Sequence, residues 1–276
     1  MTAQCRTRMI GMSLPRMAVW IVAILFATAS FSVAWCQLPS FPLPTSNGVL
    51  GTKDAAALAE VTASISAASS GGWRDLIATG TLTYPAGDSH AATLYLLGSR
   101  YSRLDIQTDN MTRSVRVGDT LGSFLDKSGR QNRLLPTTAR MGIVAFPRLW
   151  KDALNLPQFS LVDCGMYTGN GQTLHRITME YQLTTGSFRP GDPTVATDLY
   201  FDPTSHVLLY SVDSLSFVIS AGQPFLRVTG YSKFQVFDGI TLPSVIQESL
   251  NGQLQWSLQL SQVSMNTNPA LGTFSF

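Results

Sequence analysis

The chain has 276 residues, of which 45% are hydrophobic and only 13% are charged, and its formal net charge is +2. The first 36 residues contain three arginines and no acidic residue, so the remainder carries 16 basic and 17 acidic residues. A nearly neutral chain with about half the usual ~25% of charged residues has no basic patch for a nucleic-acid partner.

The beginning of the chain has the order of a secretory signal peptide. Three arginines precede an apolar run from Met17 to Val33, and small residues follow it. We expect cleavage after Ala34 or after Cys36 and export to the periplasm. A single membrane anchor and lipid modification of Cys36 are the alternatives, although Trp35 stands where a lipoprotein signal has a small residue.

Three regions follow from these boundaries. We expect a signal peptide in residues 1–36, a Pro-rich linker in 37–51 and one domain in 52–276. Cys5 and Cys36 leave with the signal, so Cys164 remains as a single thiol and no internal disulfide forms.

The domain opens with a predicted helix over residues 55–68, which ends at Gly71-Gly72. Leu58, Val61 and Ile65 fall on one side of it, so we expect that side to pack on a sheet. Thr52 is the predicted N-terminal cap.

From Leu76 onward the apolar period changes to two, which predicts strands. Leu104 and Ile106 share a face opposite Arg103, and Val115 and Val117 share a face on the next strand. No crossover helix separates these strands, so the sheet is expected to be antiparallel.

Residues 134–154 interrupt this pattern and are called the insertion here. Pro136 and Pro147 can each begin a short helix, since proline is tolerated in the first turn. The large side chains Phe146 and Trp150 are either ordinary core or part of a movable apolar lid.

Strands resume after the insertion, giving ten to twelve in all. Ile177 and Met179 share an apolar face with His175, and Leu199 lies on a later strand. Asp238-Gly239 and Asn251-Gly252 predict two tight hairpins, and Trp256 lies on the apolar face of the last strand. Because two helical regions cannot enclose so many strands, we expect the sheet to curve on itself.

The sequence offers little for catalysis. His90, His175 and His206 have no metal-ligand spacing, and no nucleophile elbow or phosphate loop is present. We therefore expect a protein that is not an enzyme and that has no cofactor and no metal. A hydrolase whose residues meet only in space is the remaining alternative.

Several stretches resemble the LolA/LolB-like periplasmic lipoprotein carrier superfamily, which includes RseB-like sensors. The resemblance spans Thr52 to Phe276 and rests on the exported chain, the Ala-rich first helix, the insertion, and the stretches GTLTY, YSRLDIQ, VRVGD, LYFDPTSHVLLY and YSKFQVFDGITLP. It implies a mainly β (α+β) half-barrel, an unclosed and strongly curved antiparallel β-barrel of about eleven strands with helices over its concave face. It also implies that an arginine on an early strand, here Arg103, holds the lid helices.

The leading hypothesis is a non-enzymatic periplasmic carrier that holds the acyl chains of lipoproteins, or another lipid-like ligand, in an apolar cavity. We expect a monomer with transient membrane contact. The alternative is an envelope protein-interaction or sensor module, RseB-like, without a lipid ligand. The predicted cavity and lid residues are Leu104, Ile106, Val115, Val117, Met141, Phe146, Leu149, Trp150, Ile177, Met179, Leu199 and Trp256.

Overall fold

A computed structural model gives the fold of the chain. It describes residues 38–45, 51–68, 72–99, 101–109, 111–117, 122–125, 131–134, 146, 150–151, 153–157, 159–182, 194–215 and 225–275. The helix and strands within these residues are α1 Ala55–Ala68, β1 Asp75–Thr83, β2 Ser89–Leu97, β3 Tyr101–Thr108, β4 Met111–Val117, β5 Gly122–Leu125, β6 Gln131–Leu134, β7 Phe159–Gly169, β8 Gln172–Gln182, β9 Thr194–Phe201, β10 Leu208–Leu215, β11 Phe225–Phe237, β12 Ile240–Leu250 and β13 Gln253–Met265. Two short 3-10 helices are Ala153–Asn155 and Leu271–Phe274.

The described strands form a single sheet in the order β6-β5-β4-β3-β2-β1-β13-β12-β11-β10-β9-β8-β7. Each neighbouring pair is antiparallel, and the sheet is not closed. The expected mainly β, unclosed architecture is confirmed, with thirteen strands in the described residues against about eleven expected. Two meanders, β1–β6 and β7–β13, meet where β1 pairs with β13.

The hairpin turns follow from local backbone chemistry. Asn251 and Gly252 have φ angles of 48° and 78°, and Asp238 and Gly239 have 49° and 78°. Positive φ at both central positions is the requirement of a type I′ turn, which suits Asn-Gly and Asp-Gly. Both predicted hairpins are confirmed.

One face of the sheet carries a continuous apolar core. It includes Leu104 of β3, Leu258 of β13 and Leu161 of the edge strand β7, all at most 3% exposed. A flat sheet of thirteen strands would be roughly 58 Å wide, whereas the 14 residues of α1 span about 21 Å. The burial of this whole face therefore indicates that the sheet bends around its core.

The insertion connects the two edges of the sheet. β6 and β7 are consecutive in the chain but lie at opposite ends of the strand order. Phe146 and Trp150, two described residues between them, are each 1% exposed and belong to the same core cluster. The insertion therefore reaches the core face of the sheet.

Helix α1 has the predicted bounds, but the residue before its first turn differs from the predicted cap. The Leu58 N–H donates to the Asp54 carbonyl, so Asp54 precedes the first turn, and the Thr52 carbonyl accepts instead from Leu161 N–H of β7. Leu58 is 36% exposed, whereas Val61 and Ile65 are buried. The expected place of Leu58 on the packed side is wrong, and Glu60, which is 7% exposed, lies on that side.

Residues 38–45 lie against the face opposite the core. Tyr200 is flanked in β9 by core residues, so its side chain points to the other face. Phe41 packs on it with ring centroids 4.4 Å apart and also contacts Tyr210 at 5.1 Å. Asn170 Nδ2 donates to the Ser40 carbonyl at 3.0 Å.

Within the described residues, none of the helices has the length and hydropathy needed to cross a membrane.

Candidate functional site

A small cavity lies between the C-terminal end of α1 and the core face of β12. The helix contributes Ser64, Ala67 and Ala68, and the sheet contributes Leu242 and Pro243. Small side chains on a helix leave room beside a sheet that carries larger ones. The lining is mostly apolar, which suits a hydrocarbon better than a charged ligand.

The other described lining residues include Val207, Leu208, Phe234 and Thr241, and two aromatic residues come from outside the strands. Trp73 follows α1 in the chain, and Phe146 comes from the insertion. Their rings meet edge to face, with centroids 6.3 Å apart and an interplanar angle of 83°. The insertion therefore contributes directly to this cavity.

The cavity volume is about 20 Å³. That is room for about one water molecule, whereas pockets for drug-sized ligands measure roughly 300–1,000 Å³. Ala67 lines the cavity and is also exposed, so the cavity adjoins the surface at the end of α1. An acyl chain would enter only if the surrounding side chains moved apart.

Trp73 has one unusual property. It is 4% exposed, and its Nε1 has no hydrogen-bond partner among the residues that the structure describes. An N–H group that is buried without an acceptor loses its bond to water and gains nothing in return.

The predicted site residues divide into four groups. Phe146 lines the described cavity. Trp150 and Trp256 are in the core cluster, together with Leu104, Ile106, Ile177, Met179 and Leu199. Val117 is buried and Val115 is half-buried on the same strand, and Met141 and Leu149 lie outside the described residues.

Arg103 lies on the face opposite Leu104. Its Nε and Nη2 bond to Asp105 at 2.7 and 2.6 Å, and its Nη1 donates to the Thr273 carbonyl at 3.0 Å. Its guanidinium also stands 5.3 Å from the centre of the Tyr95 ring. None of these three residues belongs to the insertion.

A titratable cluster joins α1 to the sheet. His175 of β8 has Nδ1 2.9 Å from Glu60 Oε2 and Nε2 2.9 Å from Asp163 Oδ1. His206 Nδ1 is 3.0 Å from the other Glu60 oxygen. Burial alone lowers the pKa of His175, but the two carboxylates outweigh it and hold that pKa above the usual 6.5. His175 therefore forms a charged link between the helix and the sheet.

Further polar groups lie on the core face of β10 to β13. Arg227 Nε and Nη2 donate to Asp213 at 2.9 and 2.6 Å. Trp256 Nε1 donates to Glu248 Oε1 at 3.1 Å, and burial raises the pKa of that carboxyl group. Unlike Trp73, Trp256 thus has a partner.

In the described residues, no group of three or more His, Cys, Asp or Glu side chains is arranged to hold a metal ion. Sequence reasoning missed Trp73, Ser64, Ala67 and Leu242 as lining residues. The one available signal was Trp73 itself, five residues after the end of an alanine-rich helix, because tryptophan side chains are highly buried on average.

No protein-family model matches this sequence, and no curated protein matches it. The chain is similar in structure to a LolA superfamily protein from Nitrosomonas europaea, at 12% identity and a TM-score of 0.49, covering 80% of this chain and 97% of that one. It is also similar to a putative outer membrane lipoprotein-sorting protein domain from Vibrio parahaemolyticus, at 12% identity and a TM-score of 0.47, covering 78% and 95%. A DUF1329 family protein from Desulfovibrio piger matches at 9% identity and a TM-score of 0.45, covering 79% and 97%. These likenesses concern the fold alone.

Proposed function

We propose that this chain is a non-enzymatic periplasmic carrier or binding protein that holds an acyl chain, of a lipoprotein or of another lipid-like ligand, between α1, the insertion and the sheet. The single observation that carries the proposal is the apolar cavity into which Phe146 of the insertion projects beside α1. The ligand enters when α1 or the insertion moves away from the sheet.

The chemistry of the lining is sufficient for such a ligand. Each methylene that is buried contributes about 0.8 kcal/mol, so ten methylenes contribute roughly 8 kcal/mol before ordering costs. Affinity of this kind needs no catalytic group and no metal. With no catalytic group and no metal required, a monomer that contacts the membrane transiently is the simplest arrangement.

The test compares two exposed alanines on α1 in the delipidated protein. Ala67 lines the cavity, whereas Ala59 does not. We expect a fluorescent fatty-acyl probe to bind the wild type and the Ala59→Trp variant equally. Ala67→Trp should weaken binding about tenfold or more, because overfilling a packed site typically costs 1–3 kcal/mol.

Two results would argue against the proposal. One is a delipidated wild type that binds no acyl probe at saturating concentration. The other is equal binding by Ala67→Trp and the wild type while both variants remain folded by circular dichroism.

The small volume of the cavity favours one second candidate. A cavity of about 20 Å³ suits a closed core, as expected for an envelope protein-interaction or sensor module that has no lipid ligand. If the chain has that role, the lipid-free chain should capture a specific protein partner. Protein purified gently from its native envelope with retained lipid, seen by mass spectrometry, would favour the carrier instead.

A further inference from the structure

Three buried side-chain atoms in the described residues have no hydrogen-bond partner. They are Trp73 Nε1, Tyr200 Oη and Ser249 Oγ. Of these residues, Trp73 alone is among the described residues that line the cavity. The unpartnered donor therefore belongs to a residue that lines the apolar cavity.

The polar groups around this cavity are few. Among the described lining residues, Ser64 and Thr241 bring hydroxyl groups, and the others are apolar or aromatic. An apolar pocket with a small number of polar groups fixes the orientation of a ligand through those groups. A purely hydrocarbon ligand would leave the indole N–H unsatisfied, whereas a ligand with a carbonyl oxygen would satisfy it.

We propose that Trp73 Nε1–H donates a hydrogen bond to a carbonyl oxygen of the ligand, so that the site prefers acyl esters or amides to hydrocarbons of the same length. This inference rests on the proposed function. It assigns Trp73 as the polar anchor and leaves the apolar lining to hold the chain. A single water molecule in the cavity is the competing acceptor.

The experiment uses a matched pair of competitors against a fluorescent fatty-acyl probe on the delipidated full chain. One competitor is the methyl ester of a saturated fatty acid, and the other is the alkane with the same number of chain carbons. We expect the wild type to prefer the ester about fivefold, which is the effect of one neutral hydrogen bond. Trp73→Phe keeps the aromatic ring and removes the donor, so it should bind both competitors alike.

A second measurement does not depend on the variant folding. In nitrogen-15 spectra of the wild type, the Trp73 indole proton should shift when the ester is added and stay unchanged with the alkane. Trp256 serves as the internal control, because its Nε1 already donates to Glu248 at 3.1 Å. Its signal should not respond to the carbonyl group.

The outcomes separate the two ideas. If the probe binds and the ester and the alkane compete with equal affinity, the proposed role of Trp73 is wrong and the carrier proposal stands. The same holds if the preference for the ester persists in Trp73→Phe. If the Trp73 indole signal responds to neither competitor while both displace the probe, the proposed role of Trp73 is also wrong. The N–H group then bonds to water. Absence of any probe binding overturns the carrier proposal and this inference together.

Discussion

Glu60 of α1 and His175 of β8 are joined by a 2.9 Å contact between Oε2 and Nδ1. The other ring nitrogen faces Asp163 of β7 at the same distance, and His206 shares the Glu60 carboxylate. A neutral imidazole has one N–H and can donate to only one carboxylate, whereas the imidazolium donates to both. The charged form of His175 therefore fastens the helix beside the cavity to the sheet.

This link predicts a pH dependence of stability. The pKa of His175 is raised in the fold, because the two carboxylates outweigh burial. A raised histidine pKa contributes stability that is fully present below the unfolded value of about 6.5 and is lost as pH rises through the folded pKa. We expect His175→Asn to lower the free energy of unfolding by about 2 to 4 kcal/mol at pH 6 and by less at pH 9, measured by urea denaturation.

His90 provides the matched control, since it contacts the ring of Tyr84 rather than a carboxylate. His90→Asn should leave the difference between pH 6 and pH 9 unchanged. A destabilisation by His175→Asn that is the same at both pH values would contradict the charged link.

Gly80 predicts a strong backbone effect. It lies at the irregularity between β1 and β13, where a Cβ would overlap the backbone of Gln259. Because backbone cannot rotate away, Gly80→Ala should lower the free energy of unfolding by about 3 kcal/mol or more. Gly272→Ala, whose Cβ would meet nothing within 4 Å, should change it by less than about 0.5 kcal/mol. Equal thermal midpoints for the two variants would contradict this reading.

The burial of Phe41 predicts that residues 38–45 are protected from hydrogen exchange. Its ring is 6% exposed and packs on Tyr200, whereas Leu43 of the same segment is 47% exposed. Phe41→Ala should release the segment and speed its hydrogen exchange by about tenfold or more, since truncating a buried Phe commonly costs 3–5 kcal/mol. Leu43→Ala should leave exchange near the wild-type rate. Fast exchange of this segment in the wild type would show that it is not held on the sheet.

The Arg227–Asp213 pair predicts that removing both side chains destabilises the fold less than removing Arg227 alone. Arg227 is 4% exposed, and the pair is bidentate. Removing one partner leaves a buried charge, so Arg227→Met alone should cost about 3–5 kcal/mol of unfolding free energy. Arg227→Met with Asp213→Leu should cost less than the single change, because the Asp213 carboxylate is no longer left without its arginine. A double variant that is as unstable as the sum of both singles would argue against this account.

Much of the fold was predictable because its signals are local. Asn251-Gly252 specifies its turn through φ, and the alternation in residues 101–108 specifies which side chains face the core. The seam between β1 and β13 was not predictable, because it joins Leu76 to Met265 and depends on no local pattern.

The site was less predictable than the fold, because its contacts join residues that are far apart in the sequence. Leu58 looked like a packed residue by helical spacing, yet Glu60 is buried because His175, 115 positions away, supplies its partner. Trp73 carried no motif, and its missing acceptor is visible only once neighbouring side chains are placed. From the sequence, Phe146 was only a large apolar residue of the insertion, and its contact with Trp73 depends on the fold.

The pairing of β1 with β13 has a consequence for biosynthesis. Until synthesis has reached Met265, β1 is an edge strand of the first meander. Its unpaired N–H and C=O groups could then pair with any other strand. The two meanders are therefore joined by β13, the last of the described strands, and a chain that ended before it would leave β1 as an exposed edge strand that can aggregate.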